Sequence, residues 1–203
     1  MKKNVKEIIM DILILIIVIL LYVFVFMWIY TNFRERKRKE MSKGIIDVIN
    51  KEIKENKEEE VGNTEKNISY NKTNYTVLGK IRIKKINLYE PILKENTKLA
   101  YDTAVVKMYG PELNSKGNVV LGAHNFMRGK YFIKIKGLVN NDVITITDLT
   151  GRSINYYVYE YSVTTIDDAT YLKAPVSNDD KIITLVTCTK GGKERYYVKA
   201  KAK

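Results

Sequence analysis

One cysteine, one histidine, one tryptophan and three prolines are spread over 203 residues. A single cysteine excludes an intrachain disulfide framework, so Cys188 is either an inert core thiol or a working one. One His and one Cys also fall short of the four-ligand sets of structural zinc sites. Asp167–Asp168 and Asp179–Asp180 are acidic pairs available to a loop calcium ion. Paired acids of this kind are more often solvated turn residues, so no metal is expected, with calcium left open. No Arg/Lys–aromatic signature of a nucleic-acid module is present, and nucleic acid is not an expected partner.

Long apolar runs are also scarce. The one that exists, "ILILIIVILLYVFVFMWIY" from Ile12 to Tyr30, holds no charge. At about 1.5 Å per residue it just spans a hydrocarbon core of roughly 30 Å. Tyr22, Trp28 and Tyr30 add interface-type aromatics toward one end. A cleaved signal peptide is the rival reading, but "TNFRERKRKE" follows with no small-residue cleavage site. One uncleaved transmembrane helix is therefore expected, with residues 1–33 as cytoplasmic tip and anchor. Lys2, Lys3 and Lys6 precede the span, whereas Arg34, Arg36, Lys37, Arg38 and Lys39 follow it. The Lys/Arg bias alone would put the rest of the chain in the cytoplasm.

Net charge is +12, and residues 76–203 carry 21 Lys/Arg against 12 Asp/Glu. Such a surface suits polyanions, including anionic lipid or an anionic wall polymer, or simply solubility. Residues 34–75 read as a charged helix and a polar linker. Ile45, Ile46, Val48, Ile49 and Ile53 recur at helical spacing within about 41–60, and "VGNTEKNISYNKTNY" is linker-like. From Thr76 onward the pattern changes to eight short β-rich runs punctuated by Gly, Asn and Asp. "ENTKLAYDT" and "KYFIKIKGLV" are the helical insertions. In "INYYVYEYSV" the alternation changes phase after Val158, which predicts a bulge or bend. Eight short strands in one domain, 76–203, predict an all-β barrel or sandwich.

A thiol enzyme that uses an imidazole has one possible pair here, His124 and Cys188. Both end predicted strands, "NVVLGAH" and "IITLVTC", where rigid scaffolds open into loops. Alternation puts Cys188 on one face with Ile182, Thr184 and Val186. Gly191 and Gly192 allow a tight return, which would make 182–188 and 194–201 antiparallel neighbours and bring Arg195 level with Cys188. A thiolate attacks, an imidazole moves its proton, and a guanidinium offers fixed donors to a developing oxyanion. The bland alternatives are a buried thiol, a solvated histidine and a surface arginine.

"TLVTC" with Arg195 seven residues on, "GNVVLGAHN" upstream, "LGKIRIKKINLYEPIL" and "YFIKIKGLVNNDVITITDLTGRSINYYV" together resemble the sortase family over roughly residues 77–201. The resemblance implies a closed eight-stranded sortase-type β-barrel with short helices, preceded by the transmembrane helix. It implies a cysteine transpeptidase with Cys188 as nucleophile, His124 as general acid/base and Arg195 as substrate-positioning and oxyanion-stabilising residue. Gly122 and Val186 would line the groove for the sorting signal. The implied substrates are surface proteins with an LPxTG-like C-terminal signal, cleaved through a thioacyl enzyme and passed to a peptidoglycan precursor or a pilin lysine. The domain would then lie outside a single-pass cell-membrane anchor, opposite to the charge bias. No cofactor is implied. The subgroup looks closer to classes A and D than to B and C. The usual Gly-His dipeptide is Ala123–His124 here, which adds a methyl group next to the histidine. A non-catalytic, membrane-tethered module that binds anionic wall polymers is the alternative, and a hydrolytic thiol peptidase a weaker one.

Overall fold

Helix α1, Val5–Glu58, is continuous, where an anchor and a separate short helix were expected. The "TNFRERKRKE" between them contains no Pro or Gly and is rich in helix-favouring Arg, Lys and Glu, so nothing stops the helix there. The computed structural model describes residues 4–58, 62–70, 72–125, 132–173 and 179–203. It divides into Met1–Glu40 and Met41–Lys203. In the first unit the large apolar side chains from Ile8 to Tyr30 are all exposed. This part of α1 is long and apolar enough to cross a membrane.

The second unit is a barrel. Its strands are β1 (Lys66–Tyr70), β2 (Thr73–Ile83), β3 (Leu88–Leu93), β4 (Val105–Tyr109), β5 (Gly117–Gly122), β6 (Val143–Asp148), β7 (Ser153–Thr165), β8 (Lys181–Thr189) and β9 (Glu194–Ala202). The neighbour order is β2-β3-β4-β5-β8-β9-β7-β6, and β6 pairs back onto β2. That pairing closes an eight-stranded barrel and leaves no free edge within the cylinder. Strand β1 is a ninth, paired with Thr73–Val77 of β2. It lies in the polar stretch read as a linker. Ile68 and Tyr70 alternate toward the core, but two apolar residues in a stretch rich in Asn, Lys and Thr are too short a pattern to mark a strand.

Alternate residues fill the barrel, among them Val119 and Leu121 of β5, Ile183 and Leu185 of β8, and Val198 and Ala200 of β9. The predicted phase change in β7 is a register shift between Val158 and Glu160 against β9. Val158 is buried, while Tyr159, Tyr161 and Val163 beyond the shift are exposed. In "KYFIKIKGLV" the described residues form a 3-10 turn, Phe132–Gly137, while Lys130 and Tyr131 lie outside the described residues. Phe132 and Ile135, three apart, are its fully buried side chains, as a three-residue period requires.

Within this unit the last turns of α1 are part of the domain rather than a spacer. Ile45 and Ile49 are fully buried against Tyr75, Val77, Leu93, Ala100, Ala104, Val106 and Leu149. Met41 and Ile53 extend the same i, i+4 stripe. Asn56 Nδ2 donates to Leu149 O at 2.9 Å, and Ser42 Oγ donates to Glu90 at 2.6 Å. Burying two isoleucines stabilises this seam by about 1.5–3 kcal/mol each.

Candidate functional site

Strands β5 and β8 run parallel, with Gly122 opposite Val186. His124 and Cys188 each follow two residues later, so they stand level at the ends of adjacent strands. Val119, Leu121 and Ala123 point into the barrel, so Val120, Gly122 and His124 point outward. The same alternation turns Val186 and Cys188 outward. Three bonds lock the two ends together. Ala123 N donates to Val186 O at 3.3 Å. Thr187 Oγ1 donates to Ala123 O at 2.9 Å. Asn125 Nδ2 donates to Cys188 O.

Arg195 arrives by the hairpin. Lys190, Gly191 and Gly192 have positive φ (45°, 65° and 92°), and the chain returns as β9 with Arg195 the register partner of Cys188. Directly opposed residues share a face, with Cβ atoms about 5 Å apart. The guanidinium is held by its own turn, Arg195 Nη1 donating to Gly192 O at 2.9 Å and Glu194 O at 3.2 Å. Cys188 is half-buried.

Two neighbours of His124 were not singled out from sequence. Helix α2, Lys98–Thr103, opens on Thr97, whose Oγ1 accepts from Ala100 N at 3.2 Å. Ala100 and Thr103 bury one side of the helix. Tyr101 and Asp102 face the histidine instead. The Tyr101 ring lies 5.5 Å from the imidazole centroid, and Asp102 Oδ1 lies 3.6 Å from His124 Nε2. Burial holds His124 below its usual 6.5; Asp102 opposes that shift and Lys98 adds to it. Burial raises the Tyr101 phenol, the neighbouring Cys188 raises it further, and Arg195 acts the other way. Tyr101 thus lies within electrostatic reach of Cys188 and Arg195 and in ring contact with His124. "ENTKLAYDT" read as a helix, but nothing in it signalled which strand end it would cover.

Gly122 and Val186 are covered. A Cβ on Gly122 would run into Met108 Sδ and lie 3.3 Å from Tyr101 Cε1. Val186 is 3% exposed and packs with Val120 beneath Tyr171 and Tyr197. The Ala123 methyl, read from sequence as lying beside the active site, points into the barrel core instead. The outward position is taken by Gly122, because adjacent residues of a strand face opposite sides.

Among the described residues no group of three His, Cys, Asp or Glu side chains lies together. Asp179 pairs with Lys116, and Asp180 with Lys201 at 2.6 Å. Asp168 accepts from Thr164 Oγ1 and from Thr170 N.

A thiol, an imidazole and a guanidinium on one face, over an apolar floor, are equipped for acyl transfer. They supply a nucleophile, a proton carrier and a donor pair for an oxyanion. The sortase domain model matches residues 81–203, over half of the chain. Sortase A of Bacillus anthracis is 32% identical over 127 residues, 60% of this chain. The match spans 58% of that relative's length. The solved structure of a Clostridium perfringens sortase D5 transpeptidase superposes with a TM-score of 0.64 at 26% identity, covering 81% of this chain and 99% of the other. Sortase C1 of Streptococcus agalactiae gives 0.56 at 22% identity, over 63% and 67% of the two chains, a likeness of fold. With a matching domain over most of its barrel, this chain belongs to the sortase family.

Proposed function

We propose that the chain is a membrane-anchored cysteine transpeptidase that cleaves an LPxTG-like sorting signal and transfers the carrier protein to an amine. The observation that carries this reading is the opposition of Cys188 and Arg195, with His124 level on the next strand. The Cys188 thiolate attacks the carbonyl carbon of the signal's Thr. A C–S bond forms, and Arg195 stabilises the oxyanion. The Thr–Gly C–N bond then breaks, and His124 gives its proton to the departing amine. The incoming amine, from a peptidoglycan precursor or a pilin lysine, attacks the thioester. A C–N bond forms, the thiolate leaves, and His124 takes up the amine's proton.

The barrel belongs outside the membrane in this reading, with the N-terminus of α1 inside. Protease added to intact cells should then remove the C-terminal domain, and a protected domain would sink a surface role. The direct test incubates the full-length chain in detergent micelles with a library of LPxTG-like peptides and an amine. A thioacyl adduct on Cys188, seen by intact mass, and an amine-linked product are expected. Cys188→Ala should give neither. Anionic-polymer binding that is salt-sensitive and indifferent to Cys188→Ala, without any adduct, would instead favour a binding module.

A further inference from the structure

An apolar track leads away from Cys188 along the outer face of β8 and β5. Val186 and Val120 form it, with Met108, Leu172, Tyr171 and Tyr197 packed over them. At its far end a cavity of about 570 Å³ opens, lined by Tyr109, Pro111, Gly117, Asn118, Leu172 and Lys173 among others.

The cavity has a fixed architecture. Asn118 is 3% exposed, and both ends of its side-chain amide are engaged by the walls. Its Nδ2 donates to Tyr171 O at 3.2 Å, and its Oδ1 accepts from Thr184 Oγ1 at 2.8 Å. The 3-10 turn Thr170–Leu172 is thereby held at a set height over β5 and β8. Gly110 (φ 96°) passes so close to Asn118 O that a side chain would collide with it. A Cβ on Gly117 (φ 105°) would sit 3.3 Å from Pro111 Cγ, against the lining. Two faces of the cavity remain available to a ligand. Tyr109 is 58% exposed, and Lys173, which also lines the cavity, is exposed too.

Distance decides what fits there. Asn118 is in register with Ile182, six residues before Cys188. At about 3.3 Å per residue the cavity lies roughly 20 Å from the thiol. With the Thr carbonyl at Cys188, the Leu of an extended LPxT segment reaches back only about 10 Å. Val186 and Val120 are themselves covered, but Met108 and Leu172 above them are half-exposed and offer that Leu and Pro an apolar footing, so the chain before them continues toward the cavity and arrives about three residues upstream.

We propose that this cavity is a second peptide subsite, which takes the substrate segment just before the sorting motif. An aromatic or large aliphatic side chain packs on Tyr109, Pro111 and Leu172, and an adjacent carboxylate pairs with Lys173. The subsite rests on the transpeptidase reading for its substrate class.

Its test needs no turnover. The full-length Cys188→Ala chain in micelles is titrated with two fluorescent peptides, a Leu-Pro-Glu-Thr-Gly core and the same core extended upstream by Phe-Asp-Gly-Ser. The extended peptide should bind about ten-fold tighter, the worth of one buried aromatic ring. Tyr109→Ala should bring the ratio of the two affinities close to one. Lys173→Glu should transfer the advantage to a Phe-Lys-Gly-Ser extension. Equal affinity of the two peptides, or an advantage that survives both substitutions, overturns the subsite. Adduct formation on Cys188 in the parent chain reports separately on the transpeptidase reading.

Discussion

Cys188 and Arg195 stand directly opposite each other across β8 and β9, and the turn between them supplies the carbonyls that aim the guanidinium. Arg195→Ala should lower peptide turnover about 10²–10³-fold, the usual loss for one oxyanion donor. Arg195→Lys should fall nearly as far, because an ammonium lacks the flat, multi-donor fork. Iodoacetamide labelling of Cys188 in both variants checks that the thiol is still in place. Parental turnover by Arg195→Lys would remove Arg195 from the mechanism.

His124 is the only histidine, so its NMR titration needs no assignment. Its midpoint should lie below 6.5, because burial disfavours the cation. Asp102→Asn should lower the midpoint further and Lys98→Ala should raise it, in line with the sign of each neighbour. The same depression links to stability. Below 6.5 the unfolded chain takes up a proton that the folded chain resists, so stability falls as pH drops from 6.5 toward the folded midpoint. The urea midpoint should show this loss in the parent and lack it in His124→Gln.

Ile49 is fully buried where α1 meets the barrel and α2. Ile49→Ala should cost about 2–5 kcal/mol, read as a lower urea midpoint at constant slope. A barrel freed of residues 41–58 would expose Tyr75, Val77 and Leu149 and lose the same seam. Undiminished stability of Ile49→Ala would show that the helix merely rests on the surface.

Gly122 has no room for a methyl group without moving Met108 and Tyr101. Gly122→Ala should therefore lower turnover by shifting the Tyr101 ring beside His124, at a stability cost of about 1–3 kcal/mol. A parallel change in the His124 NMR shift would tie the loss to Tyr101. Full activity with an unmoved His124 resonance would count against this coupling.

Local order was legible before any coordinates. The near-continuous apolar, β-branched runs "IITLVTC" and "NVVLGAH" placed both strand ends, because strands buried on both faces read as short unbroken apolar runs. The glycine pair announced the return of Arg195 for an equally local reason, since Gly191 and Gly192 accept the positive φ that a tight turn needs. The run of uncharged residues from Ile12 to Tyr30 likewise marked a membrane-length helix by itself. Tertiary structure alone decided the rest. Barrel closure depends on β6 meeting β2, a pairing between segments over 60 residues apart with no local signature. Asp102 and Tyr101 reach His124 only because Ile45 and Ile49 seat α2 from behind. Asn118 bridges to Tyr171, 53 residues away. Contacts of that kind are set by how faces pack in space, and a linear pattern records the face but not its partner.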